Sequence, residues 1–240
     1  MDTKRLRRAV LENPLNIQAM FNAIAPKYDL LNHLLSFGLD IRWRKKALTL
    51  VEEKHGGAFL DLATGSGDFS IEAFKLQPRL IVAADFAIGM LAMFRQKLNK
   101  RGAEGTVCLA SCDALSLPFQ PETFDVAMVA FGIRNFKDRL VGLKEMWRVL
   151  KPAGLCVILE LTTPTVPVIA QLYALYSRSI LPALGKIISG HNLAYVYLPT
   201  SISQFPENDK FLSLMREACF KETTACQLTF GIATIYIGRK

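Results

Sequence analysis

The sequence predicts an α/β fold in which one domain, residues 1–240, is built on a doubly wound, mostly parallel β-sheet. Short apolar runs alternate with amphipathic stretches through most of the chain, which is typical of βα repeats. Most of these runs are apolar at nearly every position, as expected for strands that helices cover on both faces. With 240 residues and a hydrophobic content of 51%, the chain can bury one sizeable core.

The individual elements follow from this alternation. Predicted strands span residues 58–63, 80–85, 106–111, 124–130 and 155–161. Predicted helices span residues 69–77, 88–100 and 139–150, and a turn at Lys151-Pro152-Ala153-Gly154 closes the last of them. Residues 1–56 form a predicted N-terminal helical arm. Residues 164–206 interrupt the alternation with an aromatic and aliphatic insertion.

A glycine-containing turn joins the first predicted strand to the first predicted helix. Its sequence is Asp61-Leu62-Ala63-Thr64-Gly65-Ser66-Gly67-Asp68. Gly65 and Gly67 suit a tight turn or the close approach of a ligand, because glycine has no Cβ. A pyrophosphate would bind at the following helix N-terminus, but the carboxylate of Asp68 would repel it. Asp61 and Asp68 instead suit a ligand that carries an ammonium or sulfonium charge.

Two further carboxylates complete a predicted adenosine site. Asp85 ends the second strand, where an acid commonly accepts hydrogen bonds from both ribose hydroxyls. Asp113 follows the third strand and could accept the exocyclic amine of adenine, with Ala114 leaving room for the ring. An adenosine that also carries a sulfonium charge describes S-adenosylmethionine. The alternatives are an Asx turn at Asp113 and a capped βα turn that binds no ligand.

Composition narrows the remaining function classes. The formal net charge is +8, and a nucleic-acid partner is not predicted because neither basic cluster is interleaved with aromatic residues. A solvated face and an anionic membrane surface are the two interpretations of these clusters. The five cysteines include no CxxC pair and are expected to be buried thiols in a reducing cytoplasm. The basic clusters are Lys4, Arg5, Arg7 and Arg8, and Arg42, Arg44, Lys45 and Lys46.

Metal sites and membrane spans are not predicted. The three histidines show no metal-ligand spacing, so we expect catalysis without a metal. No run of 18 apolar residues predicts a membrane span, and the N-terminus lacks the apolar region of a secretory leader. The expected location is therefore the cytoplasm.

Two other classes of protein share some of these features. A nicotinamide-dependent oxidoreductase would share the first βαβ unit, but Ser70 stands at the third glycine position and Asp68 opposes a pyrophosphate. A noncatalytic module that binds RNA or a membrane surface would explain the basic charge. It would not require Asp61, Asp68, Asp85 and Asp113 at one crevice.

Several motifs together resemble one family. They are Phe21, Ile24-Ala25, Tyr28-Asp29, Asn32, Ser36-Phe37-Gly38, Arg42-Trp43, residues 61–68, Leu117-Pro118-Phe119, Phe131-Gly132-Ile133-Arg134-Asn135, residues 148–152, Glu160 and residues 195–205. In this order they resemble the ubiquinone/menaquinone biosynthesis C-methyltransferase family (UbiE/MenG), from about Phe21 to the C-terminus. The sequence departs from the family pattern at Asp40, Ala130, Ala153 and Thr162. Of these, Ala130 replaces a serine that contacts the cofactor in some members.

The resemblance implies a fold, a cofactor and a reaction. The fold is that of class I methyltransferases, with a seven-stranded sheet whose last strand is antiparallel. The reaction transfers a methyl group from S-adenosylmethionine to a ring carbon of a reduced prenylated quinone, either demethylmenaquinol or the benzoquinol precursor of ubiquinone. Methylation of oxygen or nitrogen on another small molecule is the alternative. By resemblance, cofactor contacts fall on Ser66, Asp85, Asp113 and Ala114.

The implied reaction requires a phenolate, because the ring carbon becomes nucleophilic when a neighbouring hydroxyl is deprotonated. A phenol with a pKa of about 10 is only about 0.1% ionised at pH 7. We expect Arg134 to stabilise the phenolate, Asn135 to hold a water or hydroxide that removes the proton, and Tyr28 to orient the ring. The alternatives are an ion-pair partner at a strand end, a helix cap and a packing residue, respectively.

The insertion at residues 164–206 is a predicted lid for the isoprenoid tail. An apolar lid would take its substrate from a bilayer, so peripheral and transient membrane contact is expected. Ordinary core packing and a homodimer face are the alternatives. His191 lies within this segment and has no visible catalytic partner in the sequence.

Overall fold

The architecture is a seven-stranded sheet with helices on both faces. A computed structural model describes residues 14–24, 28–164, 166–175 and 192–240. The strand order is β3-β2-β1-β4-β5-β7-β6. Strands β1 to β5 pair in parallel, and β7 lies antiparallel between β5 and β6. The strands are β1 (Ala58–Leu62), β2 (Leu80–Asp85), β3 (Val107–Ser111), β4 (Phe124–Ala130), β5 (Leu150–Leu161), β6 (Lys221–Leu228) and β7 (Ala233–Arg239). The predicted fold class is confirmed.

The helices of the described residues fall into three groups. Three precede the sheet, three connect its parallel strands, and three lie between β5 and β6. In chain order they are α1 (Pro14–Ile24), α2 (Tyr28–Leu35), α3 (Leu39–Thr49), α4 (Asp68–Ala73), α5 (Ile88–Arg101), α6 (Arg139–Val149), α7 (Pro167–Leu175), α8 (Asn192–Ser203) and α9 (Asn208–Glu217). Short 3₁₀ turns at Ile133–Asn135 and Thr229–Gly231 follow β4 and β6.

The predicted turn after α6 is wrong. Residues 151–154 belong to β5, which starts at Leu150, directly after the helix. The register explains the misleading composition. Phe124 pairs with Leu150 and Val126 pairs with Leu155, so the intervening residues of β5 bulge out of the ladder. Proline and glycine are tolerated in a strand at such a bulge, and Ala153 adopts a φ of 60° there.

The core has two layers, one on each face of the sheet. On one face, α6 and α9 cover alternate residues of β1, β4 and β5, with Leu60, Leu143 and Phe211 fully buried. On the other face, α3, α4 and α5 bury Phe59, Phe94 and their neighbours. Both sides of each central strand are therefore dry, which is why the strands read as continuous apolar runs.

Helix α1 lies against the carboxyl edge of the sheet. The side chain of Gln18 donates to the backbone carbonyl of Phe86 at 2.5 Å. The side-chain oxygen Oδ1 of Asn22 accepts from the backbone N–H of Gly89 at 2.9 Å. Since α5 has no side-chain cap of its own, Asn22 supplies the missing acceptor at the first turn of that helix. The N-terminal arm thus meets the segment that follows Asp85.

The predicted burial of the cysteines is largely wrong. Cys156 is buried in the central strand β5, whereas Cys108, Cys219 and Cys226 are exposed. Cys108 and Cys226 lie on β3 and β6, the two edge strands, where one side of the sheet meets solvent.

The predicted lid lies partly outside the described residues. Helix α7 and helix α8 describe its two ends, but residue 165 and residues 176–191, which include His191, are outside the described part. The basic cluster at residues 4–8 is outside it as well. Within the described ranges, no helix is long and apolar enough to cross a membrane. In the same part of the chain, His, Cys, Asp and Glu side chains form no group that could hold a metal ion.

Candidate active site

The glycine-containing turn folds through two left-handed glycines. Gly65 has a φ of 56° and Gly67 a φ of 85°, conformations that favour glycine. A Cβ on Gly67 would also lie 2.1 Å from the ring of Phe94. Gly67 is therefore required by the packing of α5 against the turn, whereas Gly65 faces a cavity at the carboxyl edge of the sheet.

The carboxylate of Asp85 accepts hydrogen bonds from two segments of the cavity wall. One carboxylate oxygen accepts from the backbone N–H of Gly65 at 2.8 Å, and the other accepts from that of Ala87 at 2.7 Å. Burial raises the pKa of Asp85, while the N–H donors of Ala87 and Gly65 oppose the rise. Each carboxylate oxygen has a second lone pair. Asp85 can therefore still accept from two vicinal hydroxyls of a ligand.

Asp61 lies beneath the turn with one oxygen satisfied and one unsatisfied. Its Oδ2 accepts from Thr64 at 2.7 Å and from Ser70 at 2.6 Å. Its Oδ1 is buried without a hydrogen-bond partner among the described residues, and the same holds for Nε of the buried Arg44. Burial raises the pKa of Asp61 to about 6, against the hydrogen bonds from Ser70 and Thr64. One free acceptor and one free donor match a zwitterionic amino-acid group, so the site fits S-adenosylmethionine.

Asp68 is not available as a free anion. Its carboxylate pairs with Lys97 at 2.6 Å and lies 3.7 Å from His33 and 4.0 Å from Arg44. The expectation that Asp68 faces a cationic ligand is therefore not met, because protein cations already surround it. Sequence reasoning missed these partners, since they come from α2, α3 and α5, far apart in the chain.

Ser66 points away from the cavity. The hydroxyl of Ser66 donates to Asp29, whose other oxygen pairs with Lys97 at 2.6 Å. Ser66, Asp61 and Gly67 do not line the cavity themselves; they support the turn that does. Because Asp29 belongs to α2, this contact ties the helix that begins at Tyr28 to the glycine turn. The side chain of Tyr28 is outside the described part of the structure.

The basic residues at positions 42–46 all lie on α3, but they do not share one exposed surface. Arg42, Lys45 and Lys46 are exposed, but Arg44 is buried and pairs with Asp40. The guanidinium of Arg44 also lies 5.2 Å from the ring centroid of Phe131. Its placement as part of a surface patch is therefore wrong, and Arg44 instead packs behind Phe131, which lines the cavity.

The cavity gathers most of the predicted cofactor residues. The residues that line it include Gly65, Asp85, Asp113 and Ala114, and also Met90, which lies in the first turn of α5. Asp113 also accepts from the backbone N–H of Leu115 at 2.9 Å, so the Asx turn forms and the residue still faces the cavity. Helix α1 closes one side through Ile17, Gln18 and Phe21, and residues 131–137 close another through Phe131, Gly132, Asn135, Phe136 and Lys137.

Arg134 forms a buried ion pair. Its guanidinium lies 2.7 Å from Glu160, whose second oxygen accepts from the backbone N–H of Arg134 at 3.1 Å. The Arg134 side chain is 5% exposed and that of Glu160 is 0% exposed. Arg134 does not line the cavity. The geometry is thus that of an ion-pair partner at a strand end, which holds the Ile133–Asn135 turn against β5.

Asn135 does face the cavity and has a partner that sequence reasoning did not assign to catalysis. The hydroxyl of Tyr197 donates to Oδ1 of Asn135 at 2.6 Å. Tyr197 comes from α8, at the end of the predicted lid, and is buried. The sequence signals at Tyr197 were its place among several aromatics in the insertion and its place in the motif at residues 195–205, and neither of them pointed to Asn135.

Curated relatives match the chain over nearly its full length. It is 42% identical to the ubiquinone/menaquinone biosynthesis C-methyltransferase UbiE of Geobacter sulfurreducens, with 100% of this chain and 94% of that protein covered. It is 43% identical to the demethylmenaquinone methyltransferase of Bacteroides fragilis, covering 93% and 92%. It is 45% identical to the demethylmenaquinone methyltransferase of Thermus thermophilus, covering 91% and 99%.

Solved structures share the fold. A SAM-dependent methyltransferase from Thermotoga maritima superposes with a TM-score of 0.66 at 18% identity, covering 92% of this chain and 98% of that one. Phosphoethanolamine N-methyltransferase 2 of Haemonchus contortus, in complex with S-adenosyl-L-methionine, gives a TM-score of 0.59 at 16% identity, covering 81% and 52%. At these identities the likeness concerns the fold alone. The model of the ubiE/COQ5 methyltransferase family matches residues 9–240, and the chain belongs to that family.

Proposed function

We propose that this protein transfers a methyl group from S-adenosylmethionine to a ring carbon of a reduced prenylated quinone. The acceptor is demethylmenaquinol or the benzoquinol precursor of ubiquinone, as the names of the relatives suggest. The observation that carries the proposal is the shared cavity. Asp85, which we propose accepts from the ribose hydroxyls, and the polar Asn135 both line this one space at the carboxyl edge of the sheet.

The cofactor residues divide into contacts and supports. Asp85, Asp113, Ala114 and Gly65 would contact the adenosine part directly, since they line the cavity. Asp61 lies behind the cavity lining, and its carboxylate, with one unsatisfied oxygen, would attract the ammonium group of the amino-acid part. Ser66 and Gly67 would shape the turn, through Asp29 and Phe94 respectively. When bound, S-adenosylmethionine would supply an electrophilic methyl group on a sulfonium.

The roles proposed for the three candidate catalytic residues follow from where each residue lies in the chain and the fold. Asn135 would contact the acceptor because it lines the cavity. Arg134 would act through position, because its pair with Glu160 fixes the turn that carries Asn135. Tyr28 would orient the acceptor ring from the first residue of α2, which Asp29 ties to the glycine turn. Alignment of this kind can contribute many kcal/mol, since effective molarities of about 10⁵ M and above are measured for well-oriented reactions.

The test is methyl transfer with a redox control. Purified protein is given S-adenosylmethionine with a labelled methyl group and demethylmenaquinone in detergent, either oxidised or reduced by dithionite under anaerobic conditions. We expect label in the quinone only after reduction, because the oxidised ring has no hydroxyl to ionise. Transfer to neither form, nor to the reduced ubiquinone precursor, while S-adenosylmethionine still binds, would contradict the proposal.

We further propose peripheral contact with an anionic bilayer, where a prenylated substrate dissolves. Exposed apolar residues at the α2–α3 corner lie beside exposed cations of α3: Leu34, Phe37 and Ile41 with Arg42, Lys45 and Lys46. Phe37 at the corner is 79% exposed. Basic residues near an anionic surface contribute about 1 kcal/mol each, and an aromatic ring can insert at the interface.

Vesicle sedimentation tests this surface. Phe37→Ser should lower binding to vesicles with anionic lipid, whereas Leu50→Ser, at the far end of α3, should leave it unchanged. Equal binding of both variants would contradict the assignment. A second copy of the chain is the competing occupant, and light scattering without vesicles distinguishes it, because a dimer through this face would dissociate in the Phe37→Ser variant.

A further inference from the structure

We infer that Tyr197 sets the orientation of the Asn135 amide, so that Asn135 presents an N–H donor to the substrate oxygen and stabilises the phenolate. This inference rests on the proposed function and assigns its oxyanion-binding group. Asn135 would be a catalytic residue in this account, and Tyr197 a positioning residue.

The hydrogen bond between the two side chains is the first observation. Tyr197 Oη lies 2.6 Å from Oδ1 of Asn135, and Tyr197 is 6% exposed. The two residues come from α8 and from the turn after β4, 62 positions apart. A buried hydroxyl in such a place needs a partner, because a buried hydroxyl without a hydrogen bond destabilises the folded protein.

The direction of the hydrogen bond follows from the neighbours of the phenol. The charged groups that act on Tyr197 are Arg134, Glu160 and Arg139. Guanidinium groups are donors only, so neither arginine can accept the phenol proton. The Glu160 oxygens already accept from the side chain and backbone of Arg134 and from the backbone N–H of Leu161. Among the described residues, the acceptor that the Tyr197 hydroxyl reaches is Oδ1 of Asn135.

Tyr197 also stays protonated and can keep donating. Burial raises the pKa of Tyr197, and the effects of the Arg134 and Arg139 cations do not reverse the rise. With Oδ1 engaged, the Nδ2 group of Asn135 is left for the cavity that Asn135 lines. The charged residues on the cavity lining are Asp85, Asp113 and Lys137.

A donor in this place changes the role expected for Asn135. An amide N–H stabilises a phenolate oxygen in the manner of an oxyanion hole, so Asn135 would bind the substrate oxygen itself instead of the water or hydroxide expected from the sequence. The quinol O–H proton would leave to solvent water. The ring carbon would then form a bond to the methyl carbon as the C–S bond breaks, with the electron pair passing to sulfur. Loss of the ring C–H proton to water would restore the aromatic ring as a phenolate, and that phenolate would take a proton from water to give the methylated quinol, so that one proton is released overall.

The test compares two tyrosine variants that both lose a hydrogen bond to an asparagine; the Tyr236 hydroxyl also bonds to Thr234. Tyr197→Phe removes the bond to Asn135, and Tyr236→Phe removes a bond of the same 2.6 Å length to Asn208, outside the cavity lining. We expect Tyr197→Phe to lower kcat/KM about tenfold at pH 7, because the donor is no longer oriented. The loss should shrink towards pH 9.5, where a phenol of pKa about 10 ionises without help. The Kd for S-adenosylmethionine should not change.

Asn135→Asp supplies a second arm, since aspartate has nearly the same shape and accepts only. It should lower kcat about 100-fold or more and recover less at high pH, because its charge repels the phenolate. A Tyr197→Phe loss that is equal at every pH, or equal to that of Tyr236→Phe, would overturn the inference while leaving the proposed function intact. A wild-type protein inactive on every quinol would overturn the proposed function, and the inference with it.

Discussion

At the scale of single residues, the role proposed for Asp61 makes the affinity for S-adenosylmethionine depend on pH. Its pKa is raised to about 6, so the carboxyl group is mostly protonated at pH 5 and mostly ionised at pH 7. An ammonium group binds the ionised form. We therefore expect the affinity for S-adenosylmethionine, measured by calorimetry, to rise about tenfold from pH 5 to pH 7.

The Asp61→Asn variant is the control for this pH dependence. Asparagine keeps an acceptor for Thr64 and Ser70 but carries no charge, so its affinity should be lower and nearly independent of pH. A pH slope equal to that of the wild type would assign the titration to another group, such as Asp85. The raised pKa also costs stability. The unfolded state releases this proton near pH 4, whereas the folded state keeps it until about pH 6. The free energy of unfolding of the unliganded protein should therefore fall as the pH rises from about 4 to about 6.

Glu160 provides the second prediction at this scale. Glu160→Gln leaves the buried Arg134 guanidinium without its anion, and breaking a buried pair in this way costs about 3–5 kcal/mol. Urea unfolding should show a loss of this size. Glu145→Gln is the matched control, because its pair with Arg148 is partly exposed and should contribute only about 0–1 kcal/mol. Equal losses in the two variants would refute a special role for the Arg134 pair.

At the scale of elements, Lys97 joins three helices around the glycine turn. It pairs with Asp29 of α2 and Asp68 of α4 from its place on α5. Without the cation, two carboxylates would face each other and separate α2 from the turn. We expect Lys97→Met to raise the KM for S-adenosylmethionine about tenfold, equivalent to about 1.4 kcal/mol.

Lys100→Met is the control for this charge change, since Lys100 lies on the same helix and is exposed. It should leave the KM unchanged. Steady-state kinetics at constant ionic strength make the comparison. If both variants raised the KM equally, general electrostatic attraction would explain the effect better than the three-helix contact.

For some elements, the sequence pattern alone was sufficient to predict the first and last residue. Strands β2 and β4 were predicted to the residue, because dry faces on both sides leave a continuous apolar run with clear ends. The start of β5 was missed because Pro152 and Gly154 ordinarily end a helix. Here they sit in a bulge whose existence depends on pairing with β4.

At the scale of the whole molecule, the order of strands along the chain predicted where the cavity lies. It did not predict the side-chain contacts that hold the cavity walls in place. Asp85, Asp113 and Asn135 follow parallel strands, so topology alone brings them to one edge of the sheet. The contacts from Asp29 to Ser66, from Asp68 to Lys97 and from Tyr197 to Asn135 join segments 29 to 62 residues apart. No local pattern records such pairs, which explains why Asp68 and Ser66 were expected to face the ligand.

The position of the new methyl group separates this proposal from its closest alternative. S-adenosylmethionine with a carbon-13 methyl group is incubated anaerobically with the protein and reduced demethylmenaquinone, and the extracted product is examined by carbon-13 NMR. We expect a single enriched signal in the region of aryl-bound methyl carbons, because the phenolate directs attack through the ring carbon. A signal in the methoxy region would show transfer to oxygen and contradict the proposed C-methylation.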